Sequence, residues 1–437
     1  NTIKKLAEIN CNIEKTVFWG YEQTENSGNV VKILKDGADV PEAGKGDLVQ
    51  LIIDETPFYA ESGGQVGDTG TMNKEGVKIR ITNTQKTADI FIHTAEIDEG
   101  TIKVGDHLEC HVDVHRRNRI MRNHTATHLL QAALRKVLGT HVQQQGSLVD
   151  NERLRFDFSH PKPIKPAEIA QIEEWVNSKT LQCDEVKKEL MSIEEAKNSG
   201  ALAFFAEKYG DAVRVVSIGD YSKEFCGGTH IDSTGQIGYF KITSESAIAQ
   251  GVRRIEAKTG DAAIQHTNAQ LLQLQKVADL FKSSPSEVLD KVSAQAKRLK
   301  NLEKNLSQIK FESIKNEIPS ILEKHSTLNN FKVITHVFTD IDMNILRQIA
   351  DILKQKANSA VIILGAKSGD SASLLVAVSD DLVSQGLKAN EIISNFASRI
   401  NGSGGGRPNL AQAGSKEVDK IEPVKNDLTS SAHAYKN

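Results

Sequence analysis

The chain has 437 residues, 39% hydrophobic and 25% charged, with a formal net charge of −3. That length exceeds one ordinary hydrophobic core and predicts two or three domains. The near-neutral balance excludes a polycation, so any RNA binding must rest on local basic patches. No apolar run approaches the roughly 18 residues of a membrane span, and no secretory signal opens the chain. Four scattered cysteines (Cys11, Cys110, Cys183, Cys226) form no disulfide framework, which predicts a reducing, cytoplasmic compartment. An initial Asn in place of Met predicts a processed or cut fragment.

Residues 1–15 read as a helix left from an upstream domain, with Ile3, Leu6, Ala7 and Ile9 on one side. Short β-prone runs then follow at 30–34, 47–53, 77–81 and 107–112, separated by Gly, Asp and Asn turns. They predict a small β-barrel-like domain over 16–113. Inside it, T-P-F-Y-A-E-S-G-G-Q (56–65) reads in two ways. Its adjacent glycines suit a turn. Equally, its bare backbone could approach a ligand, with Gln65 offering amide donors and an acceptor. The basic run His115–Arg119, Arg116 within it, reads as a solvated face or a phosphate contact.

Next comes H-T-A-T-H. His124 and His128 stand four apart, which on a helix puts both on one face. The apolar run to Leu138, closed by Gly139, predicts that helix and places the pair in its first or second turn. Hairpin strands at 143–149 and 154–158, a helix at 167–181, a strand at 185–191 and a capped helix start at 192–196 follow. The strand at 213–218 leads to C-G-G-T-H, where Gly227 and Gly228 disfavour a helix and predict a loop carrying Cys226 and His230. Taken singly, these are ordinary buried residues. A helical His pair meeting a loop Cys/His pair instead predicts a tetrahedral nitrogen and sulfur site for one zinc ion per chain. Four protein ligands make a closed, structural or positioning site, and three would leave a position for water. No Asp or Glu stands out near either motif as a general base. Strands at 238–242 and 251–257 complete an α+β domain over 114–258.

Residues 259–325 predict two amphipathic helices broken by Ser283-Ser284-Pro285. In the second, Val288, Val292, Leu299, Leu302, Leu306 and Ile309 recur at three- and four-residue steps. This is a helical hairpin or a coiled-coil arm, with its partner either in the same chain or in a second copy. Residues 326–437 alternate strand, helix, strand, strand, helix, predicting a small α/β or α+β domain. A glycine run follows that helix. Gly404, Gly405 and Gly406 admit close approach of a phosphate or sugar backbone, and Arg407 adds a planar donor fork. A flexible linker is the plainer reading, but a linker should not run on into Leu410-Ala411-Gln412-Ala413. The predicted fold class is therefore a multidomain α+β chain: barrel, zinc-containing domain, helical arm and C-terminal domain.

H-T-A-T-H with C-G-G-T-H, preceded by T-P-F-Y-A-E-S-G-G-Q and followed by G-V-R-R-I-E-A, resembles the editing domain of bacterial-type alanyl-tRNA synthetase. G-S-G-G-G-R-P-N-L-A-Q-A-G (402–414) resembles that family's C-terminal tRNA-binding domain, although the family's usual run has glycine where Ser403 stands. The resemblance implies hydrolysis of the ester of mischarged seryl- or glycyl-tRNA for alanine. It implies Thr127 as the partner of the serine hydroxyl, and sites that require a hydroxyl reject its absence by about 10⁴–10⁵-fold. A Thr that bonds only its own backbone is the plainer alternative, and glycine, which has no hydroxyl, is left unexplained. Gln144 matches a family position near the substrate, able to orient the carbonyl or the attacking water. Gln65 lies in the loop the family keeps beside the editing site. Arg116, Arg253, Arg254, Gly404, Gly405, Gly406 and Arg407 are the expected nucleic-acid contacts. Nothing resembles the class II ATP-binding core. ATP and magnesium would belong to that part, with which the full-length parent would attach alanine to its tRNA. The implied partner is tRNA for alanine, with a homodimer through the arm or the C-terminal domain as a further expectation. The alternative function is a non-catalytic tRNA-binding module with a purely structural zinc. A phosphoesterase is a third reading, opposed by the lack of an Asp-His-His run of metal ligands.

Overall fold

A computed structural model of the chain describes residues 15–202, 212–328 and 330–416. The helix expected over 1–15 lies, apart from Lys15, outside the described residues, as do Cys11 and residues 417–437. The chain divides after Leu274 into two compact units.

The first unit begins with β1 (Val17–Phe18), β2 (Glu25–Lys35), β3 (Ala38–Val40), β4 (Glu42–Gly44), β5 (Leu48–Ile53), β6 (Glu55–Thr56), β7 (Gly70–Lys74), β8 (Val77–Thr87), β9 (Ile90–Glu99), β10 (Thr101–Lys103) and β11 (His107–Val112). Antiparallel pairing runs β2–β5–β9–β8–β7–β11 and returns from β11 to β2, closing a six-stranded barrel. Closure removes the exposed edges an open sheet would leave. The strand alternation decides which side faces in. In β8, Val77, Ile79 and Ile81 are buried while Lys78 and Arg80 are exposed. With Leu51, Ile53, Phe58, Met72 and Leu108 they fill the interior.

β11 leads directly into α1 (Val114–Leu138). The Asp113 carboxylate caps it by accepting from the Arg116 N–H at 2.9 Å. The helix thus starts ten residues before His124, so the histidine pair sits in the third and fourth turns, not in the first or second as expected. The early turns gave no apolar signal because their buried face is built on an ion pair. The Arg117 guanidinium, 3% exposed, grips the Asp68 carboxylate of the barrel and donates to the carbonyls of Gly20 at 2.7 Å and Pro57 at 3.0 Å.

Then come β12 (Gln144–Val149), β13 (Leu154–Ser159), α2 (Pro166–Gln182), β14 (Val186–Ser192), α3 (Ile193–Asn198), β15 (Ala212–Ile218), β16 (Ser222–Phe225), a 3-10 turn (Thr234–Ile237), β17 (Phe240–Ala249), β18 (Val252–Thr259) and α4 (Gly260–Leu280). Ser192 and Glu195 form the expected capping box. One sheet has the order β12-β13-β18-β17 and a smaller one β14-β15-β16. Leu129, Leu130, Ala133 and Leu134 of α1 pack with Phe156, Phe158, Ile172, Val176, Phe240 and Ile255 in one core. The barrel's glycine-rich loop joins this sheet at its free edge. Val149 N–H donates to the Gly64 carbonyl at 2.7 Å, and Val66 N–H to the Val149 carbonyl at 3.0 Å. Gly64 holds a φ of +86° and lies so close to Ser147 that a Cβ would meet its carbonyl oxygen at 2.6 Å.

The second unit contains α5 (Val288–Lys315), α6 (Ile318–Glu323), β19 (Ser326–Leu328), β20 (Phe331–Thr339), α7 (Met343–Ala357), β21 (Ala360–Ser368), β22 (Ser371–Val378), α8 (Asp380–Ser384), α9 (Ala389–Arg399), β23 (Ser403–Arg407) and β24 (Leu410–Ser415). On α5, Leu299, Leu302, Leu306 and Ile309 are exposed. The sheet has the order β19-β20-β21-β22-β24-β23, with β20 and β21 parallel through the α7 crossover. Its two sides are buried by separate clusters, one built on α7 and one on α9. The glycine run, expected to admit close approach of a phosphate or sugar backbone, forms the exposed edge strand β23 and not a flexible linker. Its residues lie so close to β24 that a Cβ on Gly404 would meet the Ala413 Cβ at 2.5 Å, and one on Gly406 the Leu410 carbonyl at 2.4 Å. Glycine is required at those two positions for hairpin packing, while a Cβ on Gly405 would meet open space.

Candidate metal centre

α1 presents His124 and His128 to the loop that follows β16, and the loop returns Cys226 and His230. One donor atom from each of the four lies within 4.8 Å of the others, and His124, His128 and His230 are buried. The Cys226 Sγ is 3.3 Å from His124 Nε2 and 3.2 Å from His230 Nε2. Each imidazole is held from behind through its other nitrogen. His124 Nδ1 meets Gln65 Oε1 at 2.7 Å, His128 Nδ1 meets Glu224 Oε2 at 2.5 Å, and His230 Nδ1 meets Thr125 Oγ1 at 3.1 Å. Nδ1 engagement leaves Nε2 as the inward ligand atom, the arrangement by which outer partners set tautomer and ring angle in metal sites. The His128 Nε2 is buried with no hydrogen-bond partner in the protein. A buried polar atom in that condition calls for a ligand.

The charges agree. Burial works against the Cys226 thiolate, but His124 and His230 beside it hold the thiol well below its ordinary pKa. Burial likewise opposes charge on His128, yet the Glu224 carboxylate and Cys226 raise it to about 10, so a cation bound at its Nε2 takes the place of a proton. Thiolate and carboxylate give the cluster the negative charge a divalent cation needs. The nitrogen and sulfur donors therefore fit zinc.

Two backbone features make the convergence possible. Gly228 lies against His124: a Cβ there would sit 2.0 Å from Cε1 and 2.3 Å from Nδ1. Gly227 has only Tyr21 Oη near it, at 3.8 Å. The loop is clamped from both sides. Arg214 donates to the Cys226 carbonyl at 3.1 Å and the Gly228 carbonyl at 2.7 Å, and its guanidinium carbon lies 4.4 Å from the Tyr21 ring centroid. Tyr21, from the barrel, donates its hydroxyl to the Gly227 carbonyl at 2.5 Å.

A cavity of about 290 Å³ opens beside the cluster, lined by His124, Thr127, His128, Gln144, Glu224 and Cys226 among others. Thr127 and Gln144 thus both line this cavity. The Thr127 hydroxyl donates to the Asn123 carbonyl at 2.9 Å, as the plainer alternative held, and its lone pairs remain able to accept. Gln65 is buried, and its amide is spent on the cluster: Oε1 also accepts from Thr229 N–H at 2.9 Å, and Nε2 donates to Thr229 Oγ1 at 2.9 Å.

Glu224 corrects one expectation: a carboxylate does stand at the site, two residues before Cys226 on β16. Strand alternation was the available signal, since residues two apart share a side. Arg214 and Tyr21 had no such signal, being brought in from elsewhere; Thr125 and Thr229 lie inside the two motifs, where nothing in the residue order marks them as partners.

The expected RNA contacts fare differently. Arg253 pairs with Glu245, and its side chain is 11% exposed. Arg254 makes two bonds to Asp157 at 2.7 and 2.8 Å. Arg116 donates to the Gly67 carbonyl at 2.8 Å. Arg407 is exposed on β23 with its glycines.

Residues 2–116 match the family model for class II (A) tRNA synthetases. Residues 213–256 match the second additional domain of threonyl and alanyl tRNA synthetases, and 330–433 match the DHHA1 domain. The first match corrects the expectation that nothing here resembles the class II part; its described residues are the barrel and the start of α1, which carry no ATP-binding pattern to read. The alanine–tRNA ligase of Acetivibrio thermocellus is 45% identical over 409 residues, covering 93% of this chain and 46% of the relative. That of Bacillus subtilis is 44% identical over 409 residues, covering 93% of this chain and 47% of the relative. The chain thus spans about half the length of the curated relatives it matches. The C-Ala domain of the Aquifex aeolicus alanyl-tRNA synthetase is 30% identical, covering 25% of this chain and 96% of that one, with a TM-score of 0.23. With such identity sustained over nearly its whole length, and with the second additional domain falling on the strands and loop that deliver Cys226 and His230, the chain belongs to the alanyl-tRNA synthetase family.

Proposed function

We propose that this chain proofreads: it binds zinc through His124, His128, Cys226 and His230 and hydrolyses the ester of seryl- or glycyl-tRNA for alanine. The observation that carries the reading is the set of three imidazoles, each braced through Nδ1, whose Nε2 atoms gather with a thiolate beside a cavity lined by Thr127 and Gln144. Bound there, zinc would supply a positive centre that fixes the substrate or polarises its ester carbonyl.

The chain's own residues do the sorting. The Thr127 hydroxyl donates its hydrogen bond to the Asn123 carbonyl, so its oxygen can accept from the hydroxyl of a serine side chain. Alanine offers no donor, and a site built around such a bond disfavours the analogue lacking it. Gln144 presents an amide to the same cavity, able to orient the ester carbonyl or the attacking water. Glu224 and Gln65 act as positioning residues, holding His128 and His124. In the second unit, Arg407 on the exposed edge strand offers a donor fork to RNA phosphate.

A deacylation assay with seryl- and alanyl-tRNA, run beside zinc analysis on wild type and Cys226→Ala, tests the reading. Serine release by wild type, lost with the metal in the variant, is the expected result. Folded, zinc-loaded protein that leaves seryl-tRNA intact would overturn it. The closed four-ligand set also suits the alternative, a structural zinc in an RNA-binding module. In that case Thr127→Val would change nothing measurable.

A further inference from the structure

The barrel also contributes to the lining of the cavity beside the metal cluster, and that contribution is largely aromatic. Phe18, Tyr21, Tyr59 and Phe91 all line it. Phe18 is the hub: its ring stacks on Phe91 at 5.4 Å with 21° between planes, and meets Tyr21 at 4.9 Å and Tyr59 at 6.1 Å edge-on. Tyr59 and Phe91 are 5% and 9% exposed, ordinary for buried rings. Tyr21 is not ordinary, at 48% exposed. An exposed aromatic is usually mobile, but this one is fixed twice, by its bond to the Gly227 carbonyl and by the Arg214 guanidinium over its ring. Lys86, at the end of β8, lines the same cavity with no carboxylate partner among the described residues.

A rigid, open aromatic surface next to an unpaired ammonium is the pairing that single-stranded nucleic acid uses: a base stacks on the ring and the cation meets a phosphate. We propose that the Phe18–Tyr21 wall stacks the terminal nucleobase of the acylated RNA while Lys86 meets the adjoining phosphate, so that the ester faces the His124–His128–Cys226–His230 group. This rests on the proofreading assignment above and adds the residues that seat the RNA end. Because the Tyr21 ring is immobilised before any ligand arrives, stacking costs little side-chain entropy. The same hydroxyl bond makes the base-binding ring and the metal-bearing loop one body.

The test uses the zinc-loaded full chain and adenosine 5′-monophosphate as probe, with ribose 5-phosphate beside it, read by calorimetry. Tyr21→Leu and Phe18→Leu should each weaken adenosine 5′-monophosphate by about 5- to 150-fold, the range that one base–aromatic stack accounts for. Ribose 5-phosphate should be insensitive to both. Lys86→Ala should weaken both probes and flatten their salt dependence. In deacylation the ring variants should raise KM for seryl-tRNA more than they lower kcat. Zinc content is measured on each variant, because Tyr21→Leu also removes the bond to Gly227; Phe18→Leu carries the test if Tyr21→Leu loses metal. Trp19, also exposed but hydrogen-bonded to Glu55 and absent from the cavity lining, is the control. Equal probe affinity in zinc-loaded wild type and Phe18→Leu overturns the proposal, as does an equal loss in Trp19→Leu. Either result, with wild type still releasing serine, sinks the stacking wall alone. Zinc-loaded wild type that fails to release serine sinks the proofreading assignment instead.

Discussion

Gly228→Ala is the sharpest perturbation the metal centre offers. A Cβ built at Gly228 stands 2.0 Å from His124 Cε1, 2.3 Å from Nδ1 and 2.8 Å from Gln65 Oε1, where ordinary contact begins near 3.4 Å. Relief needs a shift of about 1.4 Å in either the loop or the imidazole, several times the roughly 0.2 Å latitude of a metal–ligand bond. Neither side yields easily. His124 is held by Gln65, and the loop by Arg214 and Tyr21. Disturbing an outer partner alone costs about 10–100-fold in metal affinity, so displacing a ligand should cost more than 100-fold. Gly227→Ala, one residue earlier, meets only Tyr21 Oη at 3.8 Å and should bind metal as wild type does. Competition with a graded series of zinc chelators, run on both variants, measures the difference. If Gly228→Ala holds zinc within threefold of Gly227→Ala, the four residues do not form the site described here.

Other outcomes follow from the same geometry. Gln65→Ala and Glu224→Gln should each lower zinc affinity by about 10–100-fold while leaving the chain folded, checked by the same chelator competition and by circular dichroism. Asp68→Asn strands the buried Arg117 guanidinium and should lower stability by about 3–5 kcal/mol, seen as a reduced midpoint in urea. His93 is fully buried with Nδ1 toward the Leu51 carbonyl and Nε2 toward the Thr56 hydroxyl, and burial lowers its pKa from 6.5 to about 4. A base whose folded pKa is depressed binds its proton first in the unfolded chain. Its stabilising part is therefore complete above pH 6.5 and lost as pH falls towards 4, by about 3 kcal/mol. Metal-free wild type should show that contribution in urea melts between those pH values, and a His93→Gln chain should show a slope shallower by that share, the depressed His160 and His230 supplying the rest. Arg407→Ala should reduce the salt slope of RNA binding by about 1. Arg254→Ala, whose guanidinium is engaged by Asp157, should lower the melting temperature without changing that slope.

What could be read from residue order alone was whatever local periodicity carries. The barrel was legible because Val77, Ile79 and Ile81 alternate with polar neighbours. The histidine pair was legible because apolar residues at helical spacing follow it. The start of α1 was not, since its early turns bury Arg117 against a carboxylate from the barrel, and an ion pair leaves no apolar stripe. The glycine run was not legible as a strand for a related reason: glycine propensity argues against one, whereas close approach to β24 demands glycine at Gly404 and Gly406. The bracing of the metal ligands was invisible wherever it crosses domains, as with Gln65 and His124. Glu224, two residues from Cys226, lay within reach.

The bonds from Gln65 and Tyr21 to the histidine and glycine of the centre bear on how the polypeptide can be divided. A cut at residue 113, where strand gives way to helix, looks natural and would release a tidy α+β fragment. That fragment would leave behind an amide that steers His124, a phenol that latches Gly227 and the edge segment that completes the sheet beside Val149. Anyone excising the metal-binding part as a portable module should therefore keep the barrel attached.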